Sequence, residues 1–196
     1  MVKVLELFSG TRSIGKVCDQ LGWESVSVDL IMEANHKCDI LDFDYKQYNR
    51  EEFDIVWASP PCTEYSAMNY CRPEKKPDIE GANKLVMKTL EIINYFNCEL
   101  WFMENPQTGT LKNQEFMKTL PFYDIDYCKY NHPIRKRTRI WTNKKDWNNL
   151  LCKKDCGNIK DNKHIQSFRY MNIQGVNRLH LRYSIPEDLI FSLFLD

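Results

Sequence analysis

Apolar residues along the chain fall into short runs, interrupted by one long stretch of helical spacing, and this alternation predicts an α/β fold. Val2-Lys3-Val4-Leu5-Glu6-Leu7-Phe8 reads as a first strand, followed by a helix that runs to about Gln20 and is entered through Ser9-Gly10-Thr11-Arg12. Trp23 to Asp29 predicts a second strand, and Lys37-Cys38-Asp39-Ile40 a short third one ending at Asp39. The apolar run Ile55 to Ala58 stops at Ser59-Pro60-Pro61-Cys62, because consecutive prolines can neither extend a strand nor enter a helix interior. Tyr65 to Pro77 is polar, aromatic and irregular, long enough to form a lid. Asp78 to Phe96 has helical spacing, with Leu85, Met87, Leu90, Ile92, Ile93 and Phe96 available for a buried face. Leu100 to Met103 predicts a buried strand that delivers Glu104-Asn105-Pro106, and Tyr123 to Tyr130 with Arg137 to Thr142 a closing hairpin around Asn131-His132-Pro133. Glu187 to Leu195 reads as a final helix with proline at its start. The expected architecture is a doubly wound, mostly parallel sheet, whose ligand crevice lies beyond the carboxyl ends of its strands.

At 196 residues the chain is expected to form one domain with a small irregular, basic appendage. With 43% hydrophobic and 28% charged residues it reads as a globular protein, and no apolar run approaches the ~20 residues needed to span a bilayer. Its N-terminus reads as a strand and not as a signal peptide, so an intracellular location is expected, in cytoplasm or nucleus. Eight cysteines in such a setting are expected to be reduced and available for catalysis or metal binding. The formal net charge of zero hides a segregation that changes the picture. Residues 128–182 hold 14 Lys and Arg against 3 Asp, a net +11, whereas residues 1–127 hold 13 against 21 acids, a net −8. A basic block of this density is the footprint of a polyanion partner, or more blandly a solvated lysine-rich face.

The candidate chemistry sits at the strand ends. Most lone cysteines are small buried hydrophobes, but no packing need explains two prolines before Cys62, and a stiff loop past a buried strand is a nucleophile's position. A bare glutamate at a strand end is most often solvated; Glu104, delivered to the same sheet edge as Cys62, becomes the expected partner of that thiol. Asp29 ends the second strand about twenty residues after the glycine turn, where an acid can accept from ribose hydroxyls, and free amides at the preceding helix start can face a ligand. Arg135, Arg137 and Arg139 alternate and so share one strand face, either to meet a substrate or to protect an exposed edge. Cys152 and Cys156, with Cys128 and His164, are either zinc ligands of a Cys3His set or free surface thiols.

Phe8-Ser9-Gly10, Ser59-Pro60-Pro61-Cys62, Glu104-Asn105-Pro106 and Arg137-Thr138-Arg139 occur in an order and spacing that resembles the cytosine-5 DNA methyltransferases. The resemblance covers about residues 1–141 and 182–196. It implies the Rossmann-like fold of S-adenosylmethionine-dependent methyltransferases, with a catalytic, cofactor-binding unit at 1–142 and 183–196. The stretch 143–182, which it does not cover, is expected to be a reduced target-recognition segment, with zinc binding one of its two readings. It implies catalytic roles for Cys62, Glu104, Arg137 and Arg139. It also implies cofactor contacts at Phe8, Ser9, Gly10, Thr11, Ile14, Gly15, Asp29, Leu30, Asp39, Ile40, Ser59, Pro61 and Ser184. Thr11-Arg12-Ser13 stands where many members carry more glycine, and Arg135 where relatives usually carry Gln. The expected reaction is methyl transfer from S-adenosylmethionine to carbon 5 of cytosine in DNA, through a covalent Cys62 adduct. The shortened segment leaves room for a protein partner that supplies sequence specificity, and a restriction-linked, viral or regulatory setting stays open. Rival readings are the same chemistry on RNA or a nucleotide, and a non-catalytic nucleic-acid-binding relative. Intact Cys62, Glu104 and Arg139 speak against the second rival.

Overall fold

A computed structural model describes residues 1–71, 74, 76–166 and 178–196. Its main sheet has seven strands: β1 (Lys3–Leu7), β2 (Glu24–Asp29), β3 (His36–Lys37), β4 (Ile55–Ala58), β5 (Leu100–Pro106), β6 (Phe122–Asp126) and β7 (Arg137–Thr142). They lie in the order β3-β2-β1-β4-β5-β7-β6. The first five pair in parallel, whereas β7 runs antiparallel between β5 and β6. Because the chain moves outward from β1 to β3 and then returns to β4 on the other side of β1, the order reverses between β1 and β4. That reversal opens a crevice at the carboxyl ends of these two strands.

Period-two alternation divides the strand side chains between two apolar layers. On one face Leu5, Leu7, Val56, Ala58 and Met103 pack against α2 (Ile79–Phe96). On the other, Val4, Ile55, Trp57 and Phe102 pack against α1 (Ser13–Leu21) and α4 (Glu187–Leu195). Asp78 caps α2 by accepting from the Gly81 amide, and Asn97 closes it in the left-handed conformation. Met87 departs from its expected place: it is 56% exposed, since Val86 and Ile93 occupy the buried stripe and the next residue round the helix turns about 100° away from it.

Three further expectations are revised. The third strand is His36–Lys37, so Asp39 lies in the turn after it, where its carboxylate accepts from the Leu41 amide. Tyr65, expected at the start of a lid, is a core residue whose hydroxyl donates to Asn83. Ala67–Cys71 forms a short 3-10 helix after it, and residues 72, 73 and 75 lie outside the described residues. A helix α3 (Arg178–Tyr183) precedes α4. Of the expected appendage, residues 167–177 also lie outside the described part. Before residue 167 its regular structure is the two-residue strands β8 (Ile159–Lys160) and β9 (Lys163–His164), and its last residues belong to α3. Trp147 anchors its beginning, stacking on Tyr130 and donating its indole N–H to Ser192 of α4.

Candidate active site and metal cluster

The turn after β1 is built around its own backbone. Phe8, Gly10 and Arg12 all take positive φ, and Asp29 at the end of β2 accepts from the Gly10 amide at 2.8 Å. The other Asp29 oxygen accepts from the Ile31 and Met32 amides, which fixes the loop carrying the exposed side chains Leu30 and Ile31. The helix start, whose amides were expected to be free to face a ligand, is occupied: the buried Glu6 carboxylate accepts from the Ile14 and Gly15 amides from beneath. A helix N-terminus attracts the nearest anion, and here β1 supplies one. Burial raises the Glu6 carboxyl to about 7, against the pull of those two amides.

One observation bears on whether this turn suits S-adenosylmethionine. Ser9 Oγ is buried without a hydrogen-bond partner, beside Gly10 and Asp29 at the mouth of the crevice. A buried orphan hydroxyl is rare in a native fold, so a polar ligand atom at this spot is expected. The residues present therefore fit the cofactor. The segment after α3 closes on the same turn, with the Ile185 amide donating to Ser13 Oγ and Ser184 one residue before it.

Cys62 lies four residues past β4, and Glu104 near the carboxyl end of β5, its parallel neighbour. Asn105 ties the end of β5 to the Cys62 loop by donating its side-chain N–H to the Pro60 carbonyl at 2.8 Å. Ser59 sits at the β4 end, where its amide donates to Leu7 of β1 and its hydroxyl accepts from Trp57. Cys62 is half-buried and Pro61 exposed. Burial and then the Glu104 charge push the Cys62 thiol above its ordinary range, while Lys136 and Arg182 pull it back. Glu104 is 6% exposed, and its Oε1 accepts from the Tyr127 hydroxyl at 3.0 Å and from Lys136 Nζ at 3.2 Å. Tyr127 itself is fully buried, with the Lys136 ammonium 4.7 Å from its ring centroid.

Sequence reasoning missed both partners of Glu104. It placed Arg137 and Arg139 at the substrate, whereas β5–β7 pairing sets Glu104 opposite Ile140 and puts the arginines on the other face of the sheet. There Arg137 forms a bidentate pair with Asp126 at 2.6 and 2.8 Å, and Arg139 one with Asp124 at 2.7 and 2.9 Å. Arg135 also donates to Asp126, at 3.0 Å. The parity of the strand was the available signal. Lys136 alternates with the three arginines, so whichever face they take, it takes the other.

Cys128, Cys152, Cys156 and His164 converge, their ligand atoms all within 4.8 Å of one another. His164 Nε2 lies 3.6, 3.5 and 3.4 Å from the sulfurs of Cys128, Cys152 and Cys156. Tetrahedral zinc, with bonds of about 2.3 Å to sulfur and about 2.0 Å to nitrogen, sets ligand atoms roughly 3.5 Å apart, so the set fits that ion.

A sheet reversed at β1/β4, with a glycine turn and acid on one side of the crevice and a thiol and carboxylate on the other, defines a Rossmann-like methyltransferase of the S-adenosylmethionine-dependent type. Two solved structures share the fold over 72% of this chain. One is an E. coli prophage protein described as a DNA modification methyltransferase (TM-score 0.55, 14% identity), the other Entamoeba histolytica methyltransferase EhMeth (TM-score 0.54, 16% identity). The chain spans about half their length, 46% and 52%. Residues 3–127 match the family model of the C-5 cytosine-specific DNA methylases. A Frog virus 3 (isolate Goorha) protein named "Probable DNA (cytosine-5)-methyltransferase" is 35% identical over 214 residues, spanning 98% of both chains. The chain belongs to the C-5 cytosine-specific DNA methylase family.

Proposed function

We propose that this enzyme methylates carbon 5 of cytosine in DNA by way of a covalent adduct at Cys62. The observation that carries the reading is the placement of Cys62 and Glu104 at the carboxyl ends of adjacent parallel strands, with Asn105 of β5 holding the Cys62 loop. Carbon 5 of cytosine is a poor nucleophile, so Cys62, its proton lost to solvent, bonds as thiolate to carbon 6; the C5–C6 π electrons move into the ring, nitrogen 3 gains a proton and the ring becomes an enamine. Glu104 hydrogen-bonds the ring at nitrogen 3 and the exocyclic amine, and stabilises the ring as nitrogen 3 takes up a proton. Both recorded bonds to Glu104 end on Oε1, which leaves Oε2 for the base. When bound, S-adenosylmethionine supplies the electrophilic methyl group. A base then takes the proton from carbon 5, the sulfur–carbon 6 bond breaks, and Cys62 is regenerated. A cytosine stacked in a duplex exposes neither face, so it enters flipped out of the helix.

Ser9, Gly10, Asp29 and Ser184 are the residues we assign to holding the cofactor, with Leu30 and Ile40 as apolar walls. Zinc at the Cys3His set would order the segment after residue 143, a reading supported by the three sulfur–nitrogen distances. Lys129, Lys153, Lys154, Lys160 and Lys163 surround that cluster in sequence and suit a phosphate backbone. No described helix is long and apolar enough to cross a membrane. The test is Cys62→Ser: transfer of labelled methyl to DNA should fall to a trace, while S-adenosylhomocysteine binds with unchanged affinity by calorimetry. Substantial turnover by this variant would contradict the nucleophile assignment. Mass spectrometry of DNA and RNA after the same incubation separates the two polymers as substrates.

A further inference from the structure

We infer that the Cys3His cluster positions the active-site carboxylate: a metal there fixes Cys128 and Cys152, and through Asp126 and Tyr127 it fixes Glu104. This rests on the function proposed above.

Three consecutive residues carry the link. Tyr127 donates its hydroxyl to Glu104, and its immediate neighbour Cys128 belongs to the cluster. On the other side, Asp126 is 0% exposed and accepts the amide of Cys152, a second cluster residue, at 2.9 Å. The same carboxylate holds Arg135 and Arg137, which bracket Lys136, the other donor to Glu104. The backbone repeats the connection. Tyr127 N–H donates to the Lys136 carbonyl, and Asp126 N–H to the Leu150 carbonyl, just before Cys152. Asn158, between the cluster's last two members, reaches back to the His132 carbonyl in the hairpin turn.

Cys128 of the cluster thus joins Tyr127 through a single peptide bond. Between Leu150 and Gln166 only Cys152 is buried, so little apolar packing would hold this frame once the thiols separate. Tyr127 is a positioning residue. It aims Glu104 without touching the base, and the metal orders the short helical turn Tyr127–Lys129 that aims Tyr127. Catalytic sites lose turnover when a group is misplaced by an ångström, and the loss falls on kcat more than on ground-state binding.

The experiment is a cycle between metal and side chain on the full chain, with Cys62→Ser alongside. Elemental analysis of the purified protein should find about one zinc per chain. Tyr127→Phe should keep that zinc and the KM for DNA and cofactor, and lose at least tenfold in kcat. Chelation of the unsubstituted protein should give a comparable loss, restored by added zinc, with affinity for S-adenosylhomocysteine unchanged within twofold. Stripping zinc from Tyr127→Phe should then cost little more, because both changes remove one interaction. Full kcat in Tyr127→Phe, multiplicative losses, or collapse of cofactor binding on chelation would each overturn the inference. Should Cys62→Ser remain active, the function itself fails. If Cys62→Ser is dead while metal and Tyr127 act independently, only the link fails.

Discussion

The β1/β4 centre of the sheet and the stretch that follows Leu150 are held by different physics. Around the cofactor turn, strands β1 and β4 present Val4, Leu5, Leu7, Val56, Trp57 and Ala58, all fully buried, and the turn follows from packing. At roughly 1.5–3 kcal/mol for each large apolar side chain buried, this region has stability of its own. The stretch from Leu150 to Gln166, with its junction to β6, rests instead on the buried Asp126 with its two arginines, on three thiols and on one imidazole. Polar frames of this kind are strong only when complete, since each lost partner strands the others in a dry setting. The contrast teaches that the β1 turn can keep its shape while the partners of Glu104 are lost.

Removing metal should break the comparison most visibly. Zinc binding in small folds supplies on the order of 10 kcal/mol, so a chelated or Cys156→Ser protein should lose amide protection across Cys152–His164 and retain it in β1 and β4. Hydrogen exchange read by mass spectrometry checks this, and uniform loss in both regions would contradict it. Next in size is Asp126→Ala. It leaves two arginines and the Cys152 amide without their acceptor, and should cost about 3–5 kcal/mol in denaturant unfolding. Burial pushes the Asp126 carboxyl up, but Arg137, the Cys152 amide and Arg135 together hold it below its usual range. Its stabilisation is therefore present above the ordinary aspartate pKa of about 3.9 and lost as pH falls through the lower folded value. The Asp126→Ala difference should shrink below about pH 4. Smallest is Asp29→Ala. Loss of charge-assisted hydrogen bonds in the cofactor turn should weaken S-adenosylhomocysteine by roughly 1.5–3 kcal/mol, with the metal count unchanged. An unaltered dissociation constant would show that the turn is held without Asp29.

The packed region was legible from sequence, and the polar region only in its members. Ile55–Ala58 and Leu100–Met103 announce buried strands by composition, and the prolines after Ala58 mark where the first must end. Glu6 was not legible as a cap, since an acid within a strand gives no sign that a helix start will come to rest on it. The four metal-cluster residues could be named because thiols are few and closely spaced. Which face of β7 meets Glu104 depends on pairing register, and a slip of one residue exchanges Lys136 for the arginines. Tyr127 escaped notice for the same reason: its partner lies 23 residues away in the chain.

The central claim, that Cys62 bonds to the base while Glu104 holds it, is tested most directly by trapping. In DNA carrying 5-fluorocytosine no proton can leave carbon 5 after methyl transfer, so elimination stalls and the adduct persists. Incubation with S-adenosylmethionine should yield a protein–DNA complex stable to denaturation, carrying one added methyl and mapped by peptide mass spectrometry to Cys62. It should be absent in Cys62→Ser and slowed in Glu104→Gln. Methyl transfer to unmodified cytosine without any trapped complex, or a complex mapped to another of the eight cysteines, would contradict the account.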